Sequence, residues 1–380
     1  CALPICNNDI GNYNQIPQVV SSNYNLSGVV VSGKTLSGIA NQNLGWEVSK
    51  QFDAGLDFIL FDGRINLILD YYHRLTEDML CDIDIPSSSG YGSILTNLGK
   101  IRNKGFEFSI SSKNLEKRPL KWDTDFNISF NRNKVLNMGP IDAIYAGMDY
   151  IQSNVTKVGH PMGMFNGYQF VKIFDTQEEI DANPHYPDQI PGSAQYVDTN
   201  KDGEISEADK TIIGDSHPDF TFGLTNRFSY KSFDLSFLLT GSYGNQVMAV
   251  YECSTMNLDG VFNVEKRVAD RWKSPTDRGN GKIASCTDFT FLDREGNSRM
   301  VYDASYIRIQ NINLGYNLKT SFAEKLRLYC SVQNVWTFTK YPGNNPEVSY
   351  FANSNSLSPG IDYTGYPLSR IVTFGVNVTF

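Results

Sequence analysis

The residues whose types and spacing best support chemistry lie in Asp198-x-Asn200-x-Asp202-Gly203-Glu204-Ile205-x-x-x-Asp209. Hard oxygen ligands stand at the first, third and fifth places, and a glycine at the sixth allows a sharp turn. Glu204 at the seventh offers its carbonyl, and an acid closes the loop at the twelfth. That spacing lets one short segment wrap a calcium ion. Asp209 replaces the usual bidentate Glu, which brings a shorter last ligand. The competing reading is an acidic loop that only caps a turn. We expect Ca2+, or Mg2+ in its absence, held by Asp198, Asn200, Asp202, Glu204 and Asp209, in a structural role that pins a long loop rather than in catalysis.

A second motif dissolves in context. Gly28-Val29-Val30-Val31-Ser32-Gly33-Lys34-Thr35 satisfies the phosphate-loop pattern formally. A true phosphate loop follows an apolar strand and opens a helix, yet polar Ser21 to Ser27 precede this one. Leu36 to Gly45 is broken by glycine and asparagine with no helical period. The histidines His73, His160, His185 and His217 are scattered without zinc-site spacing. No nucleophile elbow occurs. The carboxylates Asp53, Asp57, Glu107, Asp123, Asp125 and Asp234 fall on polar strand faces, and nothing singles out a glycosidase pair. We therefore expect no catalytic residues. Six cysteines, at Cys1, Cys6, Cys81, Cys253, Cys286 and Cys330, form no C-x-x-C pair. Loop disulfides, with Cys253 and Cys286 the favoured pair, and free thiols both remain open.

The elements that must carry these residues alternate with period two. Phe52, Ala54, Leu56, Phe58 and Leu60 oppose Gln51, Asp53, Gly55 and Asp57, and after Asp62-Gly63 the pattern resumes in Ile65, Leu67, Leu69 and Tyr71. It returns around Phe106 to Ile110, Trp122 to Phe130, Phe220 to Phe228, Phe233 to Leu239, Leu326 to Val332 and Val372 to Phe380. Between Ile309 and Ile312 the phase slips by one residue near Asn311, as a β-bulge would cause. Aromatics make up 13% of the chain and charged residues only 19%, with 31 glycines, a profile of many strands joined by polar loops. No apolar run is long enough for a membrane helix, but barrel strands hide their apolar face by alternation. The net charge of −8, with no Lys/Arg cluster along the sequence, excludes nucleic acid as an expected partner.

Connection lengths choose between a soluble sandwich and a membrane barrel. Links at Asp62-Gly63, Asn114 to Arg118, Ser229 to Ser232 and Thr320 to Glu324 are short. They alternate with long stretches at roughly 80–101, 133–164, 244–301 and 341–367. Short turns at one end and long loops at the other are the outer-membrane pattern. The predicted fold is all-β, an antiparallel transmembrane β-barrel. Residues 1–45 are an extracellular loop at the start of a fragment, and 46–380 are the C-terminal half of the barrel. Weak strands at Phe165 to Ile173 and Ala194 to Val197 bring the expected count to nine to eleven, roughly half of a plugged barrel of about 22 strands. Tyr71, Tyr72, Trp122, Phe130, Tyr230, Tyr316 and Trp336 sit near strand ends, where interfacial girdles lie.

Several segments together resemble the SusC/RagA-type TonB-dependent outer-membrane transporters of Bacteroidetes. They are Asn43-Leu44-Gly45-Trp46-Glu47, Gly55-Leu56-Asp57, Leu69-Asp70-Tyr71-Tyr72, Asn97-Leu98-Gly99, Asn103-Lys104-Gly105-Phe106-Glu107, Pro218-Asp219-Phe220, Tyr230 to Leu235, Ala304 to Arg308 and Gln333-Asn334. The resemblance implies import of glycan or peptide fragments through a barrel with an N-terminal plug in a Gram-negative outer membrane. It further implies a SusD-like lipoprotein partner, the TonB complex as driver and outer-membrane lipid as surroundings. The plug and the first barrel half lie outside this chain, and Phe380 resembles the terminal aromatic read by the barrel-assembly machinery. The alternatives are a passive porin or surface adhesin, and a soluble β-rich, calcium-binding, glycan-degrading enzyme.

Overall fold

The computed structural model describes residues 16–148, 151–258, 263–286, 295–350 and 357–380. Nine strands turn the alternation into one antiparallel sheet: β1 (Val48–Leu60), β2 (Ile65–Asp84), β3 (Ser93–Leu115), β4 (Leu120–Asn137), β5 (Phe220–Tyr230), β6 (Phe233–Tyr243), β7 (Tyr306–Leu318), β8 (Lys325–Thr339) and β9 (Ile371–Thr379). Each pairs with its neighbour in sequence, so among the described residues the wall is an up-and-down meander with open edges at β1 and β9. The shortest of these strands, β5 and β6 at 11 residues and β9 at 9, match the roughly 9–11 residues a tilted strand needs to cross a bilayer.

Register keeps one face apolar across the whole sheet. Leu56 faces Leu69, Leu69 faces Phe108, Phe108 faces Ile128 and Ile128 faces Phe222. Further along, Leu224 faces Leu239, which faces Ile309, which faces Trp336. Because side chains alternate with period two, in-phase pairing at each step puts every member of this set on the same side. Among the described residues nothing covers it: Phe52 is 61% exposed, Trp336 57% and Phe374 78%. The opposite face carries Asp70 against Glu107, Ser109 against Asn127 and Asp125 against Thr225.

Two strands stay in phase with their neighbours only through the bulge that the sequence signals. The register between β7 and β8 shifts between Ile309 and Asn311, and that between β6 and β7 shifts at Leu238/Leu239. Against β6 the extra residue is Gln310, and against β7 the extra residue lies on β8 between Gln333 and Trp336, where Asn334 has a positive φ of 51°.

Other expectations change. Tyr72 is not a girdle residue: alternation turns it to the polar face opposite Tyr71, where its hydroxyl donates to Asn131 Oδ1 at 3.0 Å. The stretch 80–101 is no loop, because β2 and β3 stay paired as far as Asp84 and Ser93, with register shifts near Met79. Within 1–45, Val19–Leu26 and Val29–Leu36 form a two-stranded hairpin. The weak strands at Met164–Gly167, Phe170–Ile173 and Ala194–Tyr196 exist but lie outside the nine-stranded sheet.

Those strands belong to a cap built by the long connections. Ala143–Met148, Ile151–Lys157, Met164–Gly167 and Thr211–Gly214 make a four-stranded sheet, and Gln246–Ala249, Val301–Asp303 and Ile361–Asp362 a three-stranded one. The buried hydrophobic residues concentrate here, around Phe165, Tyr168, Met248 and Ile361. The cap also reaches down the polar face of the wall. Ile101 and Val135 of β3 and β4 are buried with Met138 on that face, and Val135 exchanges main-chain hydrogen bonds with Gly159 and His160.

Candidate functional site

The acidic loop keeps the alternation of its sequence in space. Asp198 Oδ1 accepts from Lys201 N at 2.6 Å and its Oδ2 from Gly203 N at 2.9 Å. Asn200 Oδ1 accepts from Asp202 N at 3.0 Å, and Asp202 Oδ1 from Glu204 N at 2.9 Å. The turn demands left-handed backbone at Lys201 (φ 63°) and Gly203 (φ 93°), the second of which glycine supplies without strain. The N–H of Glu204 and the carboxamide of Asn200 hold the Asp202 carboxyl below its ordinary range.

Asp209 is fully buried and faces the main chain: Oδ1 accepts from Thr199 N and Oδ2 from Ser206 N, each at 2.8 Å. Next to it Lys210 forms a 2.5 Å ion pair with Glu295 and lies over the Tyr168 ring, joining the loop to the cap core. Tested for fit, Asp198 caps main-chain amides with both oxygens as Asp209 does, but Asp198 is only half-buried where Asp209 is fully buried, and Asn200 Oδ1 and Asp202 Oδ1 accept one amide each. Among the described residues no three His, Cys, Asp or Glu side chains converge as a metal cluster.

A cavity of about 490 Å³ lies in the cap, between Phe170, Glu252, Arg267, Met300 and Tyr302. Arg267 donates to Glu252, to Glu265 at 2.6 Å and to the Tyr302 hydroxyl at 2.7 Å, and that hydroxyl donates to Glu252 at 2.7 Å. Burial pulls on the Arg267 guanidinium, but the two carboxylates outweigh it and hold its proton more tightly than usual. Cys253 and Cys286 line this same cavity, and Leu258 N donates to Cys286 O at 2.8 Å.

A second cavity, about 320 Å³, opens where the wall meets the last long connection. Thr221, Ser242 and Tyr306 form one register row across β5, β6 and β7 on the polar face, and Glu347, Ser349 and Pro359 close over them. Glu347 is held by Tyr306 and by Arg308, a residue only 3% exposed whose guanidinium also donates to Thr337 Oγ1 at 2.8 Å and Asn345 Oδ1 at 3.1 Å. The last connection thus folds inward onto the polar face. Sequence spacing gave no sign of the Arg308–Glu347 contact; the only signal was Arg308 in the polar phase of its strand.

The remaining candidates are dispersed. Asp125 and Asp234 are each matched by an arginine, Arg227 and Arg327, rather than by a second carboxylate. His185 contacts Asn183 O and His217 contacts Asp215, far apart in the chain. The phosphate-loop motif occupies the turn and second strand of the Val19–Leu36 hairpin, with Ser27 and Gly28 at positive φ and no helix behind Lys34. Phe380 follows β9 and is 89% exposed. Cys1 and Cys6 lie outside the described residues.

Comparison with known proteins places this architecture. TonB-dependent receptor P3 of Formosa agariphila is 37% identical over 92% of this chain and 36% of its own length. TonB-dependent receptor SusC of Bacteroides thetaiotaomicron is 31% identical over 90% of this chain and 32% of its own. The chain therefore spans about a third of these relatives. The RagAB peptide transporter structure shares the fold, with a TM-score of 0.79 at 23% identity, over 99% of this chain and 40% of that one. Residues 10–335 match the family described as TonB dependent receptor-like, beta-barrel, and this chain belongs to that family.

Proposed function

We propose that this chain is the C-terminal half of the barrel wall of an importer that carries oligomeric nutrients, glycan or peptide fragments, across the outer membrane of a Bacteroidetes-like bacterium. The observation that carries the reading is the nine-stranded sheet itself: among the described residues one continuous apolar face is left uncovered, the other is polar and folded over by long connections, and two edges are open. Open edges inside lipid leave main-chain groups unpaired, so the wall needs the rest of a barrel to close it. In this reading the remaining barrel and plug supply that closure, a SusD-like surface lipoprotein covers the long-loop end, and the TonB complex drives transport.

The test is uptake of labelled oligosaccharide and oligopeptide mixtures by cells making the full-length protein. Uptake is expected to require TonB, the lipoprotein and the proton-motive force. Uptake that persists after the proton-motive force is collapsed overturns the reading in favour of a passive pore.

For the loop at 198–209 we propose one structural Ca2+, with Mg2+ as a weaker substitute. Asp198, Asn200, Asp202 and the Glu204 carbonyl would supply the oxygens, and Asp209 would shape the loop from beneath. The alternate placement of these groups around the Gly203 turn supports this.

A further inference from the structure

On the uncovered face, directly beyond the apolar belt at the long-loop end, folding gathers cations that the sequence keeps apart. Register places Ala54, Tyr71, Phe106 and Phe130 in one row across β1 to β4. The next row of the same face is Phe52, His73, Lys104 and Arg132, and the one after it Lys50, Leu75, Arg102 and Lys134. Successive same-face rows are about 7 Å apart, so these cations stand at the height where an aromatic row gives way to lipid headgroups. Their outward direction is fixed by their neighbours: Ile101 and Val135 point the other way, into the packed cap.

The charges are not balanced within the chain. Glu77 is shared by Lys50 and Lys100, and Asp219 is taken by Arg132. Among the described residues Arg102, Lys104 and Lys134 make no ion pair, and the Nε of Arg102 is buried with no hydrogen-bond partner. Lys104 sits directly across from Arg132, and Arg102 directly across from Lys134. Like charges opposed across a strand pair destabilise it. Two such pairs stacked on one face, in a chain of net charge −8, call for an external anion.

We propose that the outward face of β3 and β4 binds the phosphate of an anionic lipid headgroup, with Arg102, Lys104 and Lys134 as donors. The proposal rests on the reading of this sheet as a membrane wall. The apolar belt below receives the acyl chains, and the guanidinium and two ammonium groups receive the phosphate oxygens by charge-assisted hydrogen bonds.

The experiment uses the delipidated full-length protein in maltoside micelles, with bound lipid counted by native mass spectrometry. The probes are dioleoyl phosphatidic acid, dioleoyl phosphatidylcholine and inorganic phosphate. Phosphatidic acid is expected to bind at least tenfold more tightly than phosphatidylcholine. That preference should vanish in R102Q/K104Q/K134Q, and in K104Q/K134Q if loss of Arg102 disturbs folding. K117Q/R118Q, at the opposite end of the wall, should keep it. Equal phosphatidic acid binding by wild type and a folded variant overturns the site, and competition by equimolar inorganic phosphate overturns the lipid as its source. Protein that inserts into bilayers but ignores the headgroup sinks this proposal alone. Protein that stays soluble without detergent sinks the membrane reading and this site with it.

Discussion

Asp234 and Arg327 sit on β6 and β8, two strands that never pair, yet they form a bidentate ion pair of 2.5 and 3.1 Å across the intervening strand. What lets them meet is Gly315 on β7: a Cβ there would lie 2.4 Å from both Arg327 Nη2 and Asp234 Oδ2. Asn317 Nδ2 adds a 3.1 Å hydrogen bond to the same carboxylate.

Gly315→Ala is therefore expected to destabilise the wall by about 1–3 kcal/mol, the usual cost of forcing an atom into an occupied space. The check is the thermal unfolding midpoint of the full-length barrel in detergent. A midpoint unchanged from wild type would mean that the strand does not depend on this close approach.

The wall was legible in the sequence because a half-covered strand writes its burial as alternation, and all nine strands do so. Even the Gln310 bulge of β7 against β6 appeared as a phase slip near Asn311. Of the cap only the weak strands at Phe165 to Ile173 and Ala194 to Val197 were legible, and for a physical reason: a strand such as Gln246–Ala249 is buried at three of its four positions, so its residues carry no period to read. The acidic loop was legible because its donors are local. Arg308 and Glu347 were not, being 39 residues apart with no spacing rule to join them. The cations Arg102, Lys104, Arg132 and Lys134 alternate visibly in their own strands, but only register reveals that they oppose one another.

Calcium added to the metal-free full-length protein is expected to bind with a Kd of roughly 10⁻⁴–10⁻³ M, the range of extracellular modules, and to raise the unfolding midpoint. Asp198→Asn combined with Asp202→Asn should remove both effects. Asp202 is held ionised below the ordinary carboxylate range, so protons should not compete at neutral pH. Isothermal titration giving the same affinity in the double variant would sink the loop as a calcium site.

Tyr251 in the cap provides a pH test. Burial, with Glu252 and Glu265 adding to it, pushes its hydroxyl up to about 12. A folded-state value above the unfolded one favours the protonated form on folding. The contribution is in full force below pH of about 10, where a free tyrosine titrates, and is lost as the pH rises through about 12. Absorbance titration at alkaline pH should show one phenolate step near the upper value in wild type that is missing in Tyr251→Phe. If the missing step falls near the ordinary tyrosine value, the hydroxyl is not buried as described.

The contact between Arg308 and Glu347 makes an asymmetric prediction, because the Arg308 side chain is 4% exposed and that of Glu347 41%. Removing Glu347 leaves a guanidinium in a site nearly closed to water, with only Thr337 and Asn345 to satisfy it. Removing Arg308 frees a carboxylate that is already half in solvent. Glu347→Ala should thus cost about 2–3 kcal/mol, below the roughly 3–5 kcal/mol of a fully enclosed pair because its own side is hydrated. Arg308→Met should cost less than about 1.5 kcal/mol, since its aliphatic replacement fills the same space. Limited proteolysis of the 341–350 segment in full-length protein supplies a second readout, and Glu347→Ala should release it for cleavage sooner than Arg308→Met. The opposite ranking in both measurements would show that the carboxylate, not the guanidinium, is the charge that folding has taken out of water.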